Sequence, residues 1–136
     1  MKLYPTLRYT NAKAAHQWLQ DAFGFEPHAL YEDDNGNVAH AQMRWGSDMI
    51  MFGTAREDSH GDRVGQGWLY ASCEDPDALC ERARAAGAEI TMEPTDQDYG
   101  SRDFAARDLE GNQWNFGTYE PGDNAGTAYA ATRSRS

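Results

Sequence analysis

Residues 109–117 read LEGNQWNFG. Glu110-Gly111-Asn112 has turn composition, and behind it polar and aromatic side chains alternate through Gln113, Trp114, Asn115 and Phe116. Alternation of this kind marks a strand with one buried face. Trp114 and Phe116 pack on a core, and Gln113 and Asn115 emerge on the other side, where an amide requires a purpose. The same ending occurs earlier: MIMFG at 49–53 closes on Phe52-Gly53 as this strand closes on Phe116-Gly117, 64 residues later. Tyr4 and Trp68 keep that separation, each opening a strand, and Gly24 and Gly87, which end two helices, keep it within one residue. The chain is a duplicated unit.

In the first copy, 3–9 reads as a strand and 11–23 as a helix, with Asn11 as N-cap and Gly24 as the stop. Ala15, Trp18, Leu19 and Ala22 fall on one helical face, so Trp18 is read as core. Strands follow at 25–32, 37–45 and 49–53, and Asn35-Gly36 signals a type I′ hairpin. In the second copy a strand at 68–73 precedes a helix at 76–86, with Asp75 as N-cap and Pro76 at the first helical position. Strands at 88–94, 102–108 and 112–119 complete it. The expected fold is α+β: tandem βαβββ modules, two curved mixed sheets enclosing a cleft, with a helix outside each. One domain spans 1–120, made of module one (3–53), a polar linker (54–67) and module two (68–119), and 121–136 is expected to be a flexible tail.

The 136 residues are 40% hydrophobic and 25% charged, an ordinary globular balance for a single domain. A net charge of -10 argues against a nucleic-acid partner. It suits the approach of a cationic ligand, and equally it keeps a surface solvated. No apolar run has the length of a membrane helix, and MKLYPTLRY offers no secretory core, so the cytoplasm is the expected location. Cys73 and Cys80 are too few for a disulfide framework and are expected as free, buried thiols.

Strand alternation assigns the inner face. Leu3, Pro5, Leu7 and Tyr9 pack on a helix, leaving Tyr4, Thr6 and Arg8 inward. Trp68, Tyr70 and Ser72 face inward from the first strand of module two. From 37–45, Ala39, Ala41, Met43 and Trp45 suit the helix side, and His40, Gln42 and Arg44 face the cleft. Met49 and Met51 join from one closing strand, Gln113 and Asn115 from the other. The expected ligand-binding lining is therefore Tyr4, Trp68, Tyr70, Met49 and Met51 with Arg8, His40, Gln42, Arg44, Gln113 and Asn115. Aromatic and thioether walls with a few polar groups suit a small organic molecule, and the same aromatics could instead fill a core. Arg8 and Arg44 need an internal carboxylate, an anionic ligand group or solvent. A two-residue turn at Asn35-Gly36 sets His40 opposite Tyr31 and His28 opposite Met43, so the two histidines face opposite ways. Asp96, Asp98, Tyr99, Arg102 and Asp103 form either a cleft rim or a solvated turn.

Three stretches carry a family likeness. LRYTNAKAAHQWLQDAFGF (7–25), DPDALCERARAAGAEI (75–90) and ARDLEGNQWNFG (106–117), in this order, resemble the opening strand and helix, the second helix, and the closing turn and strand of the vicinal oxygen chelate superfamily. That superfamily holds glyoxalase I, bleomycin-resistance proteins and extradiol dioxygenases. The resemblance implies four metal-ligand positions in its enzymes, which map here to Tyr4, Met51, Trp68 and Asn115. None is a histidine or carboxylate, so no metal, no cofactor and no catalytic residue is assigned. The expected function is metal-independent binding of a small organic molecule, such as an antibiotic or another aromatic or cationic metabolite. The resemblance also implies a homodimer. The alternative is a metal-dependent lyase, isomerase or dioxygenase of the same superfamily, and a third option is metal-free acid–base catalysis by His40, for which the sequence offers no recognisable partner.

Overall fold

The structure, a computed structural model, describes residues 1–56 and 63–121. The middle of the expected linker, with His60, and the tail beyond Pro121 lie outside the described residues. The element order is β1 (Thr6–Tyr9), α1 (Ala12–Phe23), β2 (Glu26–Glu32), β3 (Val38–Trp45), β4 (Asp48–Thr54), β5 (Trp68–Ser72), α2 (Pro76–Ala85), β6 (Glu89–Asp96), β7 (Arg102–Arg107) and β8 (Gln113–Gly117). Two four-stranded mixed sheets result, ordered β1-β4-β3-β2 and β5-β8-β7-β6, the same order twice. In each, the first strand runs parallel to the last and the remaining pairs are antiparallel. The duplicated α+β architecture read from the sequence is the one present.

Local chemistry explains the element ends. Asn11 Oδ1 accepts from Ala14 N at 3.0 Å and Asp75 Oδ1 from Ala78 N at 3.1 Å, each satisfying a first-turn donor. Arg82 of α2 donates to the carbonyls of Gln20 and Asp21, at 2.9 Å each, and so ties the open end of α1 to the other module. The helices pack on each other, and Trp18 Nε1 donates to Ala86 O at 2.9 Å across the same boundary. Phe23 and Phe25, at the end of α1, meet Trp114 and Phe116 of β8 with ring centroids 4.7 to 5.5 Å apart. One aromatic core thus runs through both modules, on the helix side of each sheet. The opposite faces stand open, with Trp68 77% exposed.

The turn LEGN holds the modules together. Asp108, 6% exposed, accepts five hydrogen bonds. Tyr9 Oη of β1 at 2.7 Å, Asn112 Nδ2 at 3.0 Å and Trp114 Nε1 at 3.0 Å converge on Oδ2. The backbone amides of Glu110 and Asn112 reach Oδ1, both at 3.0 Å. Burial and the adjacent Asp108 carboxylate push the Tyr9 hydroxyl far above its ordinary pKa, so it stays a donor. Glu110 reaches back to the amides of Thr10 and Asn11, ahead of α1.

Three local expectations are corrected. The Asn35-Gly36 hairpin is not type I′: Gly36 has φ 80° but no non-glycine residue among those described has positive φ. Asp33 N donates to Asn37 O at 2.8 Å across a three-residue loop, and Asp33 Oδ1 holds the amides of Asn35 and Asn37. The same loop recurs between Gln97 and Ser101 and between Asp108 and Asn112. The added loop residue is taken back by an irregularity beside Tyr31, which leaves Val38 buried and Ala39 exposed, against the expected facing of Ala39. A second bulge lies at His28, between the pairs Pro27–Met43 and Ala29–Gln42. It turns His28 onto the face of Arg44 and not, as expected, away from it.

Candidate functional site

The open face of the first sheet is a grid set by strand register. Thr6, Met51, Gln42 and Ala29 form one row across β1, β4, β3 and β2. Arg8 lies beside Gly53 and His40 beside Tyr31 in the next, and Met49 lies beside Arg44 in the row on the other side. His40 stacks on Tyr31 with centroids 6.3 Å apart, and its Nε2 meets Gln42 Nε2 at 3.0 Å. Arg44 donates to His28 Nδ1 through Nε at 3.2 Å and Nη2 at 3.0 Å. Arg8 Nη1 donates to Thr54 O at 3.2 Å. Among the described residues neither arginine meets a carboxylate, although the chain carries 22 acidic residues. This face is rich in donors.

The open face of the second sheet is aromatic. Trp68 and Gln113 share one row, Tyr70 and Asn115 the next, and Ser72, Gly117 and Asp103 the third. Asn115 Oδ1 accepts from Trp68 Nε1 at 3.0 Å and from Gln113 Nε2 at 3.2 Å. An indole N–H only donates, which fixes the carbonyl end of Asn115 toward Trp68. The amide at position 115 therefore pins an exposed indole. Tyr70 Oη donates to Tyr119 O at 2.6 Å. At the far end Asp103, 6% exposed, accepts from Ser101 Oγ and from Tyr99 Oη at 2.6 Å, and that bond pushes the Tyr99 hydroxyl up to about 12. Gly117 makes room for this carboxylate: a Cβ there would collide with Asp103 Oδ1. Cys73 and Cys80 are free thiols, Cys80 buried and Cys73 half-buried. Burial, with Asp103 and Asp75 nearby, pushes Cys73 up to about 11.

The structure thus spreads the expected lining over two open faces. Arg8, His40, Gln42, Arg44, Met49 and Met51 lie on the first, Trp68, Tyr70, Gln113 and Asn115 on the second, and Tyr4 just ahead of β1. Sequence reasoning placed His28 on the wrong face, set Tyr31 opposite His40 as found, and left Tyr99 and Asp103 open between a cleft rim and a solvated turn. Pro27 was the available signal for His28, since proline in an edge strand accompanies bulges. A cavity of about 490 Å³ opens elsewhere, at the seam between the two modules. Of the expected lining only Met49 and Tyr70 reach it, while Phe25, Trp45 and Trp114 supply its aromatic floor.

The family model of the Glyoxalase/Bleomycin resistance protein/Dioxygenase superfamily matches residues 3–116. The chain belongs to this superfamily. No curated protein matches its sequence. Among solved structures it is similar to TioX from Micromonospora sp. ML1, with 27% identity, a TM-score of 0.72, and coverage of 88% of this chain and 100% of that one. A glyoxalase I mutant from Zea mays superposes with a TM-score of 0.70 at 16% identity, over 86% of this chain and 44% of the maize chain. A glyoxalase/bleomycin resistance protein/dioxygenase from Nocardioides gives 0.62 at 17% identity, over 90% and 86%. The last two likenesses are of fold.

The four positions that the resemblance maps to metal ligands, Tyr4, Met51, Trp68 and Asn115, offer a divalent metal no imidazole or carboxylate. Trp68 has no lone pair to offer and gives its N–H to Asn115, which also holds Gln113. Register sets Thr6 level with Met51 and Tyr70 level with Asn115. Moving the first-strand positions to Thr6 and Tyr70 therefore brings in two hydroxyls and no imidazole or carboxylate.

Proposed function

We propose that this superfamily member is a metal-independent binding protein for a small aromatic or cationic organic molecule, an antibiotic being one such molecule, held on the open sheet faces. The observation that carries the reading is the Trp68–Asn115 hydrogen bond. It joins two of the superfamily's metal positions and makes of them an anchored, outward-facing indole, suited to stacking on a flat or cationic group. The eleven lining residues are the binding residues of this reading, with no catalytic role among them. Each face is one wall of a cleft, and a homodimer supplies the opposing wall. Steering by the acidic chain favours cations, while Arg8 and Arg44 supply donors to the ligand's carbonyl or anionic groups.

The test is intrinsic tryptophan fluorescence during a screen of glycopeptide antibiotics, planar aromatic drugs and glutathione adducts, with and without EDTA. Saturable quenching indifferent to EDTA and lost in Trp68→Ala is expected. Unchanged affinity in Trp68→Ala would remove the aromatic wall from the proposal.

A further inference from the structure

The cavity at the module seam is a different environment from the open faces. Its floor is Phe25, Trp45 and Trp114, with Phe25 and Trp114 at 3% and 1% exposure. Phe25 meets the two indoles at centroid distances of 4.9 and 5.5 Å. Both indole N–H groups are already committed, Trp45 Nε1 to Ser72 O at 2.8 Å and Trp114 Nε1 to Asp108 Oδ2 at 3.0 Å. Ile50, Leu69 and Ala71 complete apolar walls. The interior therefore offers ring and aliphatic surface and no indole donor to a guest.

The mouth is anionic. Asp48 and Glu120 stand at it, with Ser72 Oγ donating to Glu120 Oε1 at 3.3 Å; no lysine or arginine lines the cavity itself, and Lys2 lines an adjoining groove that shares Leu3, Asp48 and Met49. A neighbouring groove of about 530 Å³ shares Trp45, Asp48, Ser72 and Glu120 and adds a third carboxylate, Glu74. Among the described residues none of these three carboxylates has an ion-pair partner. An apolar, drug-sized volume with a negative lip suits one kind of guest. That guest is a flat hydrophobic body that buries its rings while its charge stays at the solvated rim.

We propose that the seam cavity is a second binding site, for a planar aromatic amine of roughly two to three fused rings in its protonated form. The rings lie against Trp45, Phe25 and Trp114, and the ammonium or amidinium edge meets Asp48 and Glu120. The site is separate from Trp68 and Asn115, and it shares Met49 and Tyr70 with the open faces.

The chain has four tryptophans, Trp18, Trp45, Trp68 and Trp114, and their indole N–H signals in a proton–nitrogen correlation spectrum distinguish the two sites. The probe is 9-aminoacridinium, with 9-anthracenecarboxylate as the anion of similar shape. Saturable shifts of Trp45 and Trp114 with Trp68 unmoved are expected, with binding of the anion at least about tenfold weaker. Ala71→Phe, which fills the cavity, is expected to weaken the amine at least about tenfold. The pair Asp48→Asn and Glu120→Gln, both exposed, is expected to weaken it and to remove its salt dependence. That pair keeps the test intact if Ala71→Phe does not fold. Shifts confined to Trp68 would overturn the seam site while leaving the open-face reading standing. No shift at any tryptophan, or equal binding of the anion, would also overturn it. So would amine binding that weakens as protein concentration rises, which would assign the cavity to a contact between two copies.

Discussion

Removing the Asp108 carboxylate should cost more than any other single polar deletion in the chain. Asp108→Ala takes the acceptor from five donors, three of them on side chains that are essentially buried: Tyr9 at 0%, Asn112 at 1% and Trp114 at 1% exposure. Each stranded buried donor costs about 1–3 kcal/mol, so the three side chains alone set a loss of roughly 3–9 kcal/mol. A domain of this size has about 5–15 kcal/mol in total. Tyr9→Phe removes one of the five bonds and buries no orphan phenol, so its loss should be about 1–2 kcal/mol. The assay is guanidinium unfolding at neutral pH, followed by tryptophan fluorescence and by far-ultraviolet circular dichroism. Because Tyr9 belongs to β1 and the turn to module two, the two probes should report one coincident transition in the wild type. A loss below about 1 kcal/mol for Asp108→Ala would refute the view that this turn locks the modules together.

Three further outcomes follow from single sites. Gly117→Ala should destabilise by about 1–3 kcal/mol in the same unfolding assay, because its Cβ displaces Asp103 from Ser101 and Tyr99, and adding Asp103→Ala should recover part of the loss. In the native protein Cys73, with its thiol pushed up to about 11, should react with Ellman's reagent at least about a hundredfold more slowly than in urea-unfolded chain, whose thiols have ordinary acidity; equal rates would contradict the burial. His16 sits on α1 with Nε2 buried and, among the described residues, without a hydrogen-bond partner, and burial lowers its pKa. The unfolded chain therefore takes up the proton first, so stability should fall as pH drops through about 6.5 and on toward the lower native value. His16→Leu should lose less stability than the wild type between neutral and mildly acidic pH, and identical pH profiles would remove His16 from the account.

Features encoded within a few residues were legible. Asn11 and Asp75 cap their helices as their positions suggested, and the repeat of Phe52-Gly53 at Phe116-Gly117 carried the duplicated topology. The inward set on β5 and β8 was legible because those strands alternate without interruption. The facing of Ala39 and His28 was not, because a bulge adds one residue and reverses every facing beyond it, with little in the letters to mark it. Asn35-Gly36 misled for a similar reason: the Asp33 side chain holds two loop amides and selects a longer turn. The purpose of Asn115 was half legible. Its amide chemistry read as neutral hydrogen bonding, but its partners, Trp68 and Gln113, needed the register between β5 and β8. The seam cavity could not be read at all, since it exists only where α1 and α2 dock the modules and leave space between β4 and β5.

The proposed binding site puts an anchored aromatic wall at the superfamily's metal positions. Its most direct test is elemental analysis of protein purified without chelators, followed by calorimetric titration with zinc, nickel and manganese. Less than about 0.1 metal per chain and no affinity tighter than about millimolar are expected, because phenol, thioether, indole and amide make no competent shell. A stoichiometric metal that EDTA removes, and whose loss abolishes ligand binding or turnover, would contradict it.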